Sequence, residues 1–344
     1  MTPLHGNETN PTPRMKIAFI EPHLKVFGGI RRIIEMANRL SDRGHAVTIY
    51  HSDGTPCTWL ECRAAIAPGR AVLDSAHDVV VYNDPEPEDM YLARHARSRV
   101  TFYYVLHLYR LELMAGFHPT IYLGRNKRTR RLRACLRSRH VKLANSSWIQ
   151  RWLREHMGID SLPMLGGVNF DLFHPVQLER APGAPFQLLA SGDPREGKGS
   201  DTVREAFEMV RKQEPTVVLQ TYHGRGIPQT EMARTYSAAD LFVDASSNAG
   251  GWNNPVAEAM ACRVPVVCTF NGQVEDFAFD GKTALMSPAR DAPALAANIL
   301  RVVRDRELRE GLASHAYNHI RTFEWDKSIE RFEAIAASHL ESAR

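Results

Sequence analysis

Residues 245–267 read ASSNAGGWNNPVAEAMACRVPVV. A polar, glycine-rich loop runs into a helix opened by Pro255, and a short apolar strand follows. Proline costs nothing in a first helical turn, where its missing amide would have lacked a partner anyway. The helix is small-faced, through Ala257, Ala259 and Ala261, so a ligand can approach it closely. Its free amino-terminal amides and partial positive charge predict a phosphate seat. Glu258, one turn in, is placed to accept hydrogen bonds from sugar hydroxyls. A phosphate seat beside a carboxylate predicts a nucleotide or nucleotide-sugar site.

The flanking sequence alternates short apolar runs with helical patterns, which predicts parallel sheets with crossover helices. Strands are expected at 16–20, 46–50, 78–82, 101–105 and 141–144, then at 186–191, 216–220, 241–244 and 264–267. Between the first two strands, Ile30, Ile33, Ile34, Ala37 and Leu40 keep a helical stripe. Gly28 and Gly29 stand where the strand feeds that helix, where glycine permits close approach of a ligand. The dinucleotide fingerprint Gly-x-Gly-x-x-Gly is absent, so a nicotinamide site is not expected. Pro, Gly and charge without periodicity after residue 164 mark a linker. The expected organisation is a disordered lead-in over 1–14, a Rossmann-like acceptor-side domain over 15–165 and a linker over 166–185. A nucleotide-sugar domain over 186–324 and a final helix over 325–344 follow.

The 245–267 segment resembles the donor-site signature of retaining glycosyltransferases of family four, the glycogen-synthase-like and sucrose-synthase-like group. That pattern is Glu-Gly-Phe-Gly-Leu-Pro-x-x-Glu-Ala-Met-Ala followed by x-Gly-x-Pro-Val-Val. Gly251, Pro255, Glu258, Ala259, Met260, Ala261, Pro265, Val266 and Val267 fall in register with it. Four other segments match in order: GGIRR at 28–32 with the strand after it, LLASGDPREGKG at 188–199, TYSAADLFVDAS at 235–246 and GKTALMSP at 281–288. The resemblance covers about residues 15–335. It implies the GT-B architecture, with two Rossmann-like domains facing across a cleft and a last helix crossing back onto the first domain. It also implies a nucleoside-diphosphate-sugar donor, and a front-face mechanism in which the departing phosphate takes the acceptor's proton. No cofactor and no metal are expected.

The resemblance carries residue roles over. Glu258 takes the ribose. Lys198 is in register with the lysine that faces the diphosphate. The family's arginine position holds Asp193, and Arg195, two residues on, is the substitute candidate. His107, after the strand 101–105, is expected to touch the donor sugar. Trp252 stands at the usual Phe position as a nucleotide-stacking or loop-closing residue. Asn253 and Asn254 are candidates to hold sugar hydroxyls, because the pattern's first Glu is replaced by Gly250, or simply to cap the loop. That replacement predicts either a modified donor sugar or weakened activity. Gly28 and Gly29 join the donor-side set, and Asp84 and Glu86 are candidates for an acceptor rim. Glu275 is a further donor-side candidate. Two other readings are a catalytically weak sugar-nucleotide or glycan-binding relative, and a nucleotide-sugar epimerase.

Composition bounds the remainder. Three hundred and forty-four residues exceed what one core usually supports. Hydrophobic and charged fractions of 44% and 24% are those of an ordinary globular protein. No apolar run is long enough to span a bilayer, and the amino terminus has no secretory h-region. Five cysteines without paired spacing predict a reducing compartment and no zinc, so a cytoplasmic location is expected. The net charge of +4 is concentrated in 125–140, which holds eight Arg and Lys. Leu132, Cys135 and Leu136 give that segment a narrow buried stripe. A solvated helix face is the first reading, and peripheral contact with an anionic membrane or an acidic acceptor is the second. Nucleic acid is not expected, because no aromatic platform accompanies the charge. The acceptor's identity is not legible.

Overall fold

The computed structural model describes residues 14–108, 127–195, 197–247 and 251–343. Among them are twelve strands in two parallel sheets, and ten α-helices. The first sheet holds β1 (Lys16–Glu21), β2 (Ala46–His51), β3 (Ala65–Pro68), β4 (Ala76–Tyr82), β5 (Arg97–Val105), β6 (Val141–Ala144) and β7 (Leu162–Pro163), in the order β3-β2-β1-β4-β5-β6-β7. Ile17 pairs with Val47 on one side and Val79 on the other. Helices cover both faces of such a sheet, so β1 is buried along nearly its whole length rather than alternately. The helices are α1 (Gly28–Asp42), α2 (Pro87–His95), α3 (Lys127–Leu136) and α4 (Ser147–Met157).

The second sheet holds β8 (Gln187–Ala190), β9 (Val218–Thr221), β10 (Leu241–Asp244), β11 (Val266–Thr269) and β12 (Leu285–Ser287), in the order β12-β11-β10-β8-β9. Around it lie α5 (Ser200–Gln213), α6 (Met232–Ser237), α7 (Asn254–Ala261), α8 (Ala292–Arg304) and α9 (Arg306–Ile320). The edge strands β3, β7 and β12 are absent from the sequence-based expectation. Each has two to four residues, too short to show a period.

The last helix, α10 (Trp325–Ser342), returns to the first domain. Trp325, Ile329, Phe332, Ala336 and Leu340 join the apolar cluster of Ile17, Phe19, Ile33 and Phe102. Glu333 fixes its rotation. Its carboxylate accepts from Arg43 Nε and Nη2 at 2.9 and 2.8 Å and from His45 Nε2 at 2.8 Å. The Met15 amide donates to His45 Nδ1 at 3.1 Å, so the proton of a neutral ring sits on Nε2, facing Glu333. Burial opposes that carboxylate, but Arg43 and His45 hold its pKa below the ordinary range.

Strand order reverses between β1 and β4, and again between β8 and β10. In open parallel sheets the crevice outside the strands' carboxyl ends at such a switch point is where ligands bind. Here the two crevices face each other, which brings the loops after β1, β5, β8 and β10 into one cleft.

Candidate functional site

The amino-terminal end of α7 forms one wall. Asn253 is its cap: its side-chain oxygen accepts from the Val256 amide at 3.3 Å. Its side-chain nitrogen donates to Asp244 at 3.0 Å. Both ends of this buried amide therefore have partners inside the domain, as the capping alternative has it. The amides of Asn254 and Ala257 are likewise paired, to the carbonyls of Trp252 and Asn253. With Pro255 lacking an amide, the helix offers its dipole rather than a row of open donors. Trp252 is 7% exposed and packs on Phe277 and Phe323, with ring centroids 4.6 and 5.2 Å away, the arrangement of its loop-closing alternative.

Glu258 lies one turn in, buried and facing the other domain. One carboxylate oxygen accepts from Arg31 of α1; the other accepts from Tyr236 Oη at 2.9 Å. Arg31 also donates to Gln229 at 2.7 Å, and its guanidinium lies 5.4 Å from the centre of the Phe173 ring. Burial works against the Arg31 charge, but Glu258 more than offsets this and raises its pKa. The carboxylate expected to receive a ribose is thus held across the cleft by an arginine. Sequence reading passed over Arg31, although it stands beside the glycine pair and off the stripe of Ile30, Ile33 and Ile34.

The glycines have a related use. A Cβ on Gly28 would stand 2.8 Å from Asn254 Nδ2, so Gly28 lets α1 meet α7. Gly251 has φ of 90°, which disfavours a side chain, and a Cβ there would stand 3.0 Å from the Leu106 carbonyl and 3.4 Å from His107 Nδ1. Gly29 lies against Leu106 rather than against the opposite domain.

The loop after β8 supplies the cations. Arg195 is bound by Asp193 through three contacts of 2.5 to 3.0 Å, which hold its charge, and lies 5.7 Å from the centre of the Phe27 ring. Arg195 therefore stands in this loop already paired to Asp193. Lys198 makes no ion pair among the described residues and sits where its charge is felt by both Asp244 and His107. Burial, followed by Lys198 and then Arg128, Arg32 and Arg195, pushes the His107 imidazole down to about 4. His107 stands after β5 at the cleft and is neutral near pH 7.

The family "Glycosyl transferases group 1" matches residues 176–305, which contain Lys198, Tyr236 and Glu258. That segment is similar to the group 1 glycosyl transferases. It is 34% identical over 104 residues to a D-inositol 3-phosphate glycosyltransferase of Thermomonospora curvata, covering 30% of this chain and 24% of that one. Over 223 residues it is 24% identical to a phosphatidyl-myo-inositol mannosyltransferase of Mycobacterium leprae, covering 57% and 60%. The matched stretches thus span about a quarter to three fifths of these relatives' own length. Among solved structures, a sucrose-phosphate synthase from Thermosynechococcus elongatus superposes with a TM-score of 0.74 at 17% identity, over 96% of this chain and all of that one. HepE of Anabaena, solved with UDP and glucose, gives 0.71 at 15% identity, over 94% and 100%. These likenesses establish the GT-B fold.

Asp84 is bound by Arg128 at 2.9 Å and Glu86 by Arg131 at 2.7 Å, which ties both acids to α3. The same pairs draw two cations of the basic run 125–140 toward the domain. Leu132, Cys135 and Leu136 are buried, as their spacing predicts. Glu275 pairs with Arg151 of α4 at 2.8 Å and Asp276 accepts from the Ser147 amide at 3.0 Å, so this turn braces the domains. Gly250, and residues 125 and 126 of the basic run, lie outside the described residues. No described helix is long and apolar enough to cross a membrane.

Proposed function

We propose that this protein transfers a sugar from a nucleoside-diphosphate-sugar to an acceptor hydroxyl, with Glu258 receiving the ribose and Lys198 the diphosphate. The observation that carries the reading is the convergence of Glu258, Lys198 and His107 at the facing switch points of two parallel sheets. The structural likeness of HepE, which was solved with UDP and with UDP-glucose, supports the donor class. Charge grows on the diphosphate as the glycosidic bond breaks, and a preoriented ammonium stabilises that charge more than the ground state. The reading assigns no cofactor and no metal a part in this. Neutral His107 can exchange a hydrogen bond with a sugar hydroxyl without placing a second cation beside Lys198. We assign retention by front-face attack, in which the leaving phosphate accepts the acceptor's proton and no protein nucleophile is needed. The acceptor faces the loops after β1 and β4.

Thermal-shift measurements against a panel of nucleoside diphosphates and their sugars test the donor assignment, since a ligand specific for the folded state raises the melting temperature. Turnover of the best donor with water and with an acceptor mixture, and the anomeric configuration of the product, test the transfer. A second reading, a binding relative with weak catalysis, is favoured by Arg195 being tied to Asp193 and by Glu258 being tied to Arg31. A donor that binds but is not turned over supports that second reading.

A further inference from the structure

The first domain has another concave feature, at the opposite end of its sheet from the cleft. It lies where β6 and β7 begin and is an open groove of about 840 Å³ up to bulk solvent. Arg137, Arg139, His140, Lys142, Ser161 and His339 are among the residues that line it. Lys142 is 7% exposed and forms no ion pair among the described residues. Its ammonium donates to the carbonyls of Ser138 and His140, the latter at 2.6 Å, which leaves the third of its three donors over.

The neighbours are alike in sign. Arg137 and Arg139 form no ion pair among the described residues, and the one carboxylate in the lining, Asp160, pairs with Arg154 at 3.2 Å. Ser161 is 6% exposed, and its Oγ has no hydrogen-bond partner among the described residues. Burial, then Lys142 and Arg139, pushes the His140 imidazole down to about 4, while its Nδ1 meets Tyr82 Oη at 3.0 Å. Burial likewise lowers the Lys142 ammonium. A buried ammonium without a counter-ion and a buried hydroxyl without a partner are both costly. A multivalent oxyanion offsets both, and guanidinium groups at the rim match its oxygens two at a time.

We propose that this groove is a second ligand site, separate from the donor cleft, that binds a phosphate monoester or diester group through Lys142 and Ser161 at its base and Arg137 and Arg139 at its rim. The same chemistry arrives on a soluble phosphorylated compound or on the headgroup of an anionic lipid. The proposal does not depend on the transferase reading.

Nuclear magnetic resonance of the histidine side chains tests it on the full chain with inorganic phosphate as the probe. His140 and His339 report from within the groove, which separates this site from any phosphate held at Lys198. A saturable shift of the His140 ring signals is expected with a dissociation constant on the order of 1 mM. Sodium chloride at equal ionic strength should not reproduce it. With phosphate bound, His140 should also titrate at a higher pH. Arg137→Ala/Arg139→Ala should weaken phosphate binding at least tenfold, and Ser161→Ala severalfold. Both arginines are exposed and unpaired, and circular dichroism checks that the double variant is folded.

Sedimentation with phosphatidylglycerol vesicles, against phosphatidylcholine vesicles, separates the two sources. Binding to phosphatidylglycerol that phosphate displaces and the double variant abolishes assigns a lipid headgroup. A His140 shift without sedimentation assigns a soluble phosphorylated compound. A His140 signal that chloride moves equally, that does not saturate, or that the double variant leaves unchanged overturns the proposal, whatever the vesicles do.

Discussion

Replacing Arg31 with Met should tighten nucleotide binding, even though it removes a cation from the donor cleft. Arg31 and Glu258 are 15% and 7% exposed at their side chains, so their hydrogen bond is charge-assisted and partly desolvated. Such a bond contributes roughly 1.5–3 kcal/mol. A ribose that takes Glu258 must displace Arg31 first, and the apparent affinity falls by the fraction of molecules in which the carboxylate is free. Freed Glu258 regains water, and the braces at Arg151–Glu275 and Ser147–Asp276 persist. The net gain is therefore set below the full bond, at about 1–2 kcal/mol, or about fivefold to thirtyfold in affinity. Glu258→Ala removes the ribose acceptor and should cost about tenfold to a hundredfold. Isothermal titration of both single variants and the double variant, with the best-binding nucleoside diphosphate, closes a thermodynamic cycle. The double variant should bind like Glu258→Ala alone, because the latch then has nothing to hold. If Arg31→Met weakens binding, Arg31 is itself a ligand of the nucleotide and the competition is refuted. Additive effects would refute the shared carboxylate.

Other consequences are sharper in kinetics or stability. Lys198→Ala should lower kcat more than it raises the donor dissociation constant; equal losses would reduce Lys198 to uniform binding. Trp252→Ala should destabilise the protein by about 3–5 kcal/mol through the cavity left beside Phe277 and Phe323, seen in denaturant unfolding. An unchanged transition midpoint with weaker nucleotide binding would restore the stacking role. Asp89, buried beside Asp84, Glu86 and Glu88, has a carboxyl pushed up to about 8, first by burial and then by those charges. With the folded pKa above the unfolded one, its stability contribution is intact below about pH 4 and is lost as pH rises toward 8. Asp89→Asn should therefore raise the melting temperature at pH 8 and leave it nearly unchanged at pH 4. His107 is depressed to about 4 and gives the opposite slope: its contribution is present above about pH 6.5 and is lost as pH falls through 4. Its ring signals should show a midpoint near 4.

The sequence by itself determined the two parallel-sheet domains and the place of the helix opened by Pro255. These rest on local periods and on residues close in the chain: the stripe of Ile30, Ile33 and Ile34, the buried strands, and Pro255 three residues before Glu258. Only the tertiary structure decided what those side chains touch. Asn253 looks like a sugar ligand until Asp244, nine residues back, takes its amide. Arg195 looks like a free cation until the chain folds Asp193 against it. Glu258 looks like an open carboxylate until α1, more than two hundred residues earlier, delivers Arg31. Charge and hydrogen bonding act over a few ångströms regardless of chain separation. A pattern along the chain can thus specify which groups line a cleft, while their partners are set by how the loops fold and, for Glu258, by the packing of one domain against the other.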